Sequence, residues 1–245
     1  ELNRQKIDVI FCDEKRCPYG MLYPLYGSFD TSLKYRKQSA WTQETKAFVW
    51  AEIVRAKIRG QMSVLPADRL DERLLLDGYM QEILPGDTTN REGHAAKVYF
   101  NALFGMSFSR SLENNINAAL NYGYGILLSA FAREIAVNGY CTQLGIFHDN
   151  MFNQFNLACD FMEPFRPFID RTVYDMELSE FAHEQKVRMV KTLNEQVNID
   201  GKTHYMLNAI RIYVKSVLNA IEEKDISLIK FPSYELPIYE NDSVL

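Results

Sequence analysis

One histidine and two acidic residues that could act as metal ligands lie within a single short stretch of the sequence. His148 comes shortly after Gly145 in a loop-forming run, and Asp160 and Glu163 come at the end of the amphipathic segment that follows. Residues three apart in a helix share a face, so we expect the two carboxylates to be neighbours. Carboxylate oxygens and an imidazole nitrogen are ligands for divalent metal ions, which makes this stretch a candidate metal site.

The helix that carries these carboxylates is predicted to break or kink just after Glu163. Pro164 lacks a backbone donor and crowds the preceding turn, and Pro167 repeats the interruption. Three amide side chains in the segment 153–156 lie among aromatic residues, which indicates that part of the segment meets water or a ligand. A carboxylate at such a break is well placed for chemistry.

A further acidic candidate, Glu92, lies at the start of another predicted helix. Thr89 and Glu92 have the spacing of a capping box, in which the glutamate side chain returns to cap the helix, and this is a complete structural explanation of Glu92. Taken singly, His148 can equally be a loop histidine and Glu163 the end of a helix. Local patterns alone therefore leave a structural and a functional interpretation open for each residue.

The composition is that of a globular protein without a membrane span. The 245 residues are 47% hydrophobic and 24% charged, enough for one large domain or one domain with a small appendage. There is no apolar run of the length needed to cross a bilayer. The net charge of −5 argues mildly against a nucleic-acid partner. The chain starts at Glu1 without a signal-like segment, so we expect it to be truncated or processed.

The four cysteines form no C-x-x-C pair and are predicted to be free thiols in a reducing compartment. Together with the lack of a membrane span, this favours a cytoplasmic protein. The cysteines are Cys12, Cys17, Cys141 and Cys159.

The predicted fold is mainly α. Two short β-rich runs, 6–12 and 21–25, mark residues 1–27 as the remnant of a small N-terminal β domain. Residues 28–225 are predicted to form a large helical domain that carries the candidate site, and residues 226–245 an extended tail that is a docking arm or a disordered end. Helices are predicted over 30–60, 67–84, from 89 onward, 116–137, 173–176, 180–197 and 206–223, with a tight turn at 198–202.

A row of basic residues lies along the first long predicted helix. A solvated face explains it, and contact with phosphates is the alternative. The row consists of Lys34, Arg36, Lys37, Arg55, Lys57 and Arg59. The sequence has no P-loop, dinucleotide-binding glycine pattern, H-E-x-x-H or G-x-S-x-G motif, so it gives no support to the chemistry those motifs serve.

Three blocks of sequence, in order, resemble a known protein family. They are NREGHAA at 90–96, IN at 116–117 with LNYGY at 120–124, and FNLA at 155–158 with MEPFRP at 162–167. Together they closely resemble CRISPR-associated protein one, the integrase of CRISPR adaptation in antiviral defence, and in particular its type II branch. The resemblance runs from residue 1 to about residue 225, although most of the family's N-terminal β domain is missing.

The resemblance implies a metal-dependent enzyme that inserts short duplex DNA into a repeat array. It implies that Glu92, His148 and Glu163 are catalytic and bind Mn²⁺ or Mg²⁺; many members have aspartate at the third position. It also implies a homodimer that binds double-stranded DNA, a dimer of CRISPR-associated protein two and, in type II systems, other adaptation proteins. Whether Asp160 assists the metal site is left open.

Three further residues are candidates for DNA contact. Arg166 and Arg91 lie close in sequence to the two glutamates, and either could hold a phosphate. Asn153, with Gln154, could contact the DNA backbone or support His148. His94 is two residues from Glu92, on a different side of the helix, and is excluded from the metal set.

Two other functions stay open at this point. The same metal site could use water as the nucleophile, which would make the chain a structure-selective endonuclease of DNA repair. Alternatively, the acidic residues are helix caps, and the chain is a non-catalytic assembly subunit whose tail binds a partner.

Overall fold

The predicted mainly α architecture is confirmed by the computed structural model, which describes residues 2, 5, 7, 9–14, 18–22 and 30–234. In these residues the helices are α1 (Thr31–Ser39), α2 (Gln43–Val64), α3 (Leu70–Gln81), α4 (Arg91–Phe104), α5 (Asn115–Val137), α6 (Asn156–Phe161), α7 (Arg166–Tyr174), α8 (His183–Lys191) and α9 (Met206–Glu223). The strands are β1 (Ile10–Cys12), β2 (Pro18–Met21), β3 (Gln196–Ile199), β4 (Lys202–Tyr205) and β5 (Pro232–Ser233).

The first long helix differs from its prediction at both ends. Residues 40–42 separate α1 from α2, and the Thr42 side chain caps α2 by accepting a hydrogen bond from the Thr45 backbone N–H at 3.2 Å. The helix then runs through Gly60, which was expected to end it, to Val64. A methyl group at Gly60 would lie 2.6 Å from the Tyr234 ring and 2.8 Å from Pro167 Cγ. This glycine therefore permits close packing and does not terminate the helix.

Helix α5 packs against α6, α7, α8 and α9, as its strongly apolar sequence predicts. Asn114 caps it by accepting from the backbone N–H of Asn117 at 2.8 Å. Gly123 lies where α5 meets its neighbours: a methyl group there would collide with the end of Met189 and would lie 2.5 Å from Ile169 Cγ2. Close packing is thus the reason for this helical glycine.

Substitution of Gly123 by alanine is expected to destabilise the fold by about 1–3 kcal/mol, because Ile169 cannot move away as easily as the end of Met189. Gly78 in α3 provides the control, since a methyl group there meets nothing within 4 Å. Gly78→Ala should stabilise the protein by about 0.5–1 kcal/mol through helix propensity. Urea unfolding of both variants measures the difference, and equal effects would contradict the packing role of Gly123.

The β structure is limited to a hairpin and a small sheet. Strands β1 and β2 pair antiparallel within the expected β remnant, although β2 begins at Pro18, earlier than predicted, and residues 23–25 lie outside the described part. The strand order of the second sheet is β4-β3-β5. The tight turn between β3 and β4 lies where Asp200 and Gly201 predicted it, and both have positive φ, 54° and 71°. The helix predicted over 180–197 was too long, since α8 ends at Lys191 and residues 196–199 form β3.

The first part of the predicted tail packs against the helical domain. Pro232 and Ser233 form β5, which pairs with Ile199 and Asn198. The Tyr234 hydroxyl donates a hydrogen bond to the Pro164 carbonyl. Residues 226–234 are therefore not a disordered end, and the rest of the tail, 235–245, lies outside the described residues.

Two predictions from composition can be compared with the described part of the chain. None of its helices is long and apolar enough to cross a membrane. Cys141 and Cys159 are free thiols, as expected. The side chain of Cys12 and all of Cys17 lie outside the described residues.

Candidate active site

Glu92 lies in the first turn of α4, and its side chain is not used as a cap. The predicted capping box with Thr89 is wrong, because Asp87 caps the helix instead. Its two carboxylate oxygens accept from the backbone N–H groups of Arg91 at 2.8 Å and of Glu92 at 2.9 Å. The Glu92 carboxylate is therefore free to point away from its own backbone, and it forms an ion pair with Lys57.

Glu163 is held in the short 3-10 turn Glu163–Phe165, between the end of α6 and the start of α7. The helix does break beside Glu163, but at Met162, immediately before it, and not just after it as predicted. The Glu163 side chain is only 5% exposed. Its Oε1 lies 2.9 Å from Arg166 Nε and its Oε2 lies 2.5 Å from Lys57 Nζ. Burial opposes ionisation, but Arg166 and Lys57 hold the pKa of Glu163 below its ordinary value.

Lys57 brings the two glutamates to one point. It projects from α2, its side chain is 9% exposed, and its ammonium group contacts Glu92 and Glu163 together. Burial alone would lower the pKa of Lys57, but the charges of Glu163 and Glu92 raise it, so the side chain is an ammonium ion. Two carboxylates that are distant in sequence thus share one positive charge.

His148 is oriented by Asp160, which is completely buried at the end of α6. The Asp160 carboxylate accepts from the backbone N–H groups of Ile146 (2.7 Å), Phe147 (3.1 Å) and His148 (3.0 Å). Its Oδ1 also lies 2.6 Å from His148 Nδ1, and this hydrogen bond raises the pKa of the histidine. Asp160 therefore holds the loop and the ring, and it engages Nδ1 and not Nε2 of the imidazole.

An aromatic wall packs behind His148. The Trp50 and Phe147 rings are stacked with centroids 4.3 Å apart, and the Trp50 and His148 rings are nearly perpendicular with centroids 6.0 Å apart. The His148 side chain remains 42% exposed. The imidazole is therefore fixed on one side and open to solvent on the other.

Asp170 is a further buried carboxylate, and it supports Arg166 through Tyr124. Tyr99 donates to Asp170 at 3.1 Å, and Tyr124 donates to its other oxygen. The Arg166 guanidinium lies 4.5 Å from the centre of the Tyr124 ring, a cation–π contact. Burial raises the pKa of Asp170 to about 6, against the opposing effect of the two tyrosine hydrogen bonds.

The raised pKa of Asp170 predicts a pH-dependent stability. Because the folded pKa lies above the ordinary value of 3.8, the folded protein binds a proton more tightly than the unfolded chain, and stability increases as the pH falls. We expect the wild type to gain about 1–2 kcal/mol relative to Asp170→Asn on going from about pH 7.5 to about pH 5. Urea unfolding of both proteins at the two pH values measures this gain. A constant difference would show that Asp170 does not titrate in this range.

Comparisons with known proteins identify the family. A family model described as CRISPR associated protein Cas1 matches residues 1–196. The chain belongs to the Cas1 family. It is 37% identical over 241 residues to the CRISPR-associated endonuclease Cas1 of Neisseria meningitidis serogroup C (strain 8013), which covers 95% of this chain and 78% of the relative. A CRISPR-associated endonuclease of Pyrobaculum aerophilum is 29% identical over 182 residues. The aligned part covers 65% of this chain and 59% of that relative. The resemblance seen in the sequence is thereby confirmed.

Solved structures show the same fold. A Cas6-RT-Cas1–Cas2 complex has a chain that matches with a TM-score of 0.75 and 16% identity, covering 97% of this chain and 30% of that one. A casposase bound to integration product matches with a TM-score of 0.65 and 20% identity, covering 91% of this chain and 77% of the other. A Cas1 protein from Thermotoga maritima matches with a TM-score of 0.63 and 18% identity, covering 90% and 80%.

The residues of this Cas1 chain can be tested for their fit to a metal ion. Within the part of the chain that is described, no group of three or more His, Cys, Asp or Glu side chains is already arranged around a single point. Two of the expected ligands, however, already share a cation, the Lys57 ammonium. Glu163 Oε2 is buried and lies 2.5 Å from this ammonium group. His148 is near enough for its charge to lower the pKa of Glu163. Two carboxylates and an imidazole are also a suitable donor set, so the residues fit a divalent ion.

The structure places the three candidate DNA-contact residues differently. Arg166 lies in the site, paired with Glu163. Arg91 is directed away from it, because its guanidinium pairs with Glu82 at 2.8 Å. The Asn153 side chain lies within its own loop, where it accepts a hydrogen bond from the Phe155 N–H at 2.9 Å and lies 3.6 Å from Cys159 Sγ.

Sequence reasoning missed three residues that build the site: Lys57, Asp87 and Asn156. Lys57 was assigned to the outward basic row, but the residue as a whole is only 7% exposed. Its position was a signal, because it lies one helical turn from Ile53 and from Gln61, both of which are buried. Asn156 joins both sides of the histidine loop by donating to the carbonyls of Gln143 and Asn150, each at 3.0 Å.

Proposed function

We propose that this Cas1 chain is a divalent-metal-dependent DNA nuclease and integrase of CRISPR adaptation. In the proposed reaction a DNA 3′-hydroxyl attacks a phosphodiester of the repeat array. A new phosphodiester forms, the bond to the original 3′ oxygen breaks, and that oxygen leaves with a proton. The observation that carries the proposal is the meeting of Glu92 and Glu163, from separate segments, at one buried positive charge beside an oriented histidine.

The proposed roles of the residues follow from their contacts. Glu92, Glu163 and His148 would hold Mn²⁺ or Mg²⁺, with the histidine using Nε2 because Nδ1 is engaged by Asp160. The bound ion would polarise the phosphoryl oxygen and neutralise developing negative charge. Arg166, a quarter exposed and fixed by Glu163 and Tyr124, is placed to hold a phosphate oxygen at the mouth of the site.

The proposed partners are double-stranded DNA, a second copy of this chain and CRISPR-associated protein two. The named assembly of the matching solved complex contains Cas1 and Cas2, which supports the last of these. The casposase structure carries an integration product, which supports DNA joining on this fold.

The test is to mix the protein with a short duplex, a repeat-bearing plasmid and Mn²⁺, and to measure joined products. Glu92→Ala, His148→Ala and Glu163→Ala are each expected to abolish joining. Full joining by all three variants would remove the proposal.

A second candidate function is a structure-selective endonuclease that uses water in place of the 3′-hydroxyl. The Neisseria relative is described as an endonuclease, which supports this second candidate. Linear and branched duplexes offered side by side separate the two, because the integrase yields joined strands and the endonuclease only cut ones. A non-catalytic scaffold would bind no Mn²⁺ in calorimetry, or would bind it equally well without Glu163.

A further inference from the structure

Lys57 has surroundings that are unusual for a lysine. Its ammonium group lies inside the protein between Glu92 and Glu163. Of the other members of the basic row on α2, Arg55 is partly buried and Arg59 is exposed. A buried ammonium is costly unless it is fully compensated, and here the two carboxylates provide the compensation.

The ammonium group of Lys57 contacts both carboxylates closely. It donates a hydrogen bond to Glu92 Oε1, and it lies 2.5 Å from Glu163 Oε2. Glu163 Oε2 is buried, so it faces the positive charge of Lys57 inside the protein, where a metal ion would also place its charge.

We propose that Lys57 is the resident cation of the metal-free site, and that it must leave the Glu92–Glu163 pair when a divalent ion binds. This inference rests on the proposed function, since it assumes that the two glutamates are metal ligands. Lys57 would then stabilise the empty site and lower its affinity for metal.

The competition has a steric and an electrostatic reason. The ammonium group contacts both carboxylates, so an ion bound to the same oxygens would overlap it. An ammonium beside a doubly charged ion is also repelled by it. Lysine is suited to leave because its charge is carried at the end of a flexible chain, whereas Arg166 can keep its pairing with Glu163 Oε1.

In the proposed reaction, the displaced ammonium group of Lys57 would pair with a DNA phosphate. Lys57 contacts the two carboxylates that would bind the ion, so a DNA phosphate bound to that ion would lie close to the Lys57 ammonium group. The negative phosphate would replace the carboxylates as the partner of Lys57. In this arrangement Lys57 pairs with the two glutamates in the metal-free site and with the DNA phosphate when metal is bound.

The experiment compares the wild type with Lys57→Met, which keeps the length and apolar part of the side chain, and with Lys57→Gln as a second variant. Lys46→Met, also on α2 but without contact to Glu92 or Glu163 among the described residues, is the control for the lost charge. Calorimetry with MnCl₂ alone gives the affinity, and thermal unfolding in chelator and in Mn²⁺ gives the Tm of each protein.

We expect Lys57→Met to bind Mn²⁺ at least about tenfold more tightly than the wild type. Its Tm in chelator should fall by about 5–10 °C, because the buried Glu163 and the partly buried Glu92 lose their shared counterion, and Mn²⁺ should restore most of the loss. Lys57→Gln should change in the same directions, and Lys46→Met should resemble the wild type in both measurements. If Lys57→Met does not fold in chelator but folds in Mn²⁺, the Tm part of the expectation is met in its extreme form, and Lys57→Gln supplies the affinity.

Unchanged or weaker Mn²⁺ binding by both Lys57 variants, with normal binding by the wild type, would overturn the inference and leave the proposed function intact. Absence of Mn²⁺ binding by every protein in the series would instead overturn the proposed metal site, and the inference with it.

Discussion

Replacement of Glu92 or Glu163 by glutamine is expected to reduce Mn²⁺-dependent DNA joining by about a thousandfold, because each substitution removes the charge of a proposed metal ligand, which would contribute several kcal/mol to catalysis. Glutamine keeps the size of the side chain, so the loss reports on charge and not on packing. The measurement is the initial rate of joining a short duplex to a repeat-bearing plasmid.

The two variants should differ in stability although they share the loss of activity. Glu163 is 5% exposed between Lys57 and Arg166, so Glu163→Gln leaves two cations without their shared carboxylate and should cost about 3–5 kcal/mol. Glu92 is 29% exposed, and solvent screening limits the cost of Glu92→Gln to about 1 kcal/mol. Urea unfolding without metal measures both.

Glu82→Gln is the matched control for both substitutions. Glu82 pairs with Arg91 at 2.8 Å, on the side away from Lys57, and its side chain is 56% exposed. This variant should join DNA at the wild-type rate. If Glu92→Gln stayed stable and still joined DNA normally, the carboxylate would be only structural, and the assembly-subunit interpretation would be favoured.

The elements of the site could be predicted from sequence where a local pattern decides the structure. The break beside Glu163 follows from Pro164 and Pro167, and the helical bounds 206–223 follow from regular apolar spacing. Helix 180–197 failed because hydrophobic spacing alone did not show that residues 196–199 pair with β4 and β5. Pairing between distant segments decides such cases.

The meeting of Glu92 and Glu163 at Lys57 could not be derived from local sequence. Glu92 fitted a capping box with Thr89, and only the structure shows that Asp87 performs the capping. In the same way, Lys57 resembled a member of a solvated basic row until the position of Glu163 became known. The family resemblance supplied Glu92, His148 and Glu163 because it carries tertiary information that spacing within one helix does not contain.

Asp160 explains why a loop histidine can be held with the accuracy that metal binding needs. Each of its oxygens accepts two hydrogen bonds: Oδ2 from the N–H groups of Ile146 and Phe147, and Oδ1 from the N–H and Nδ1 of His148. The loop closes tightly around this carboxylate, since a methyl group at Gly145 would collide with the His148 carbonyl and would lie 2.8 Å from Asp160 Oδ2. The loop therefore depends on a full negative charge at a site that is 0% exposed.

Asp160→Asn is accordingly expected to destabilise the fold by about 3 kcal/mol and to weaken Mn²⁺ binding by about 10–100-fold. In either orientation the asparagine amide group directs its own N–H donors at two of the four groups that the carboxylate contacted, so hydrogen bonds are lost from the loop that carries His148. The neutral amide also holds the imidazole less firmly than a carboxylate does. Urea unfolding and Mn²⁺ calorimetry measure the two effects.

Asp149→Asn separates this role of Asp160 from a general effect of negative charge near the metal. Asp149 is exposed in the same loop and is the immediate neighbour of His148, so its removal changes the charge without removing the support. We expect it to leave stability and Mn²⁺ affinity close to those of the wild type. Because a merely electrostatic effect of Asp160 would weaken metal binding without lowering the free energy of unfolding, a loss of affinity at unchanged stability in Asp160→Asn would show that the carboxylate acts by its charge alone and does not position His148.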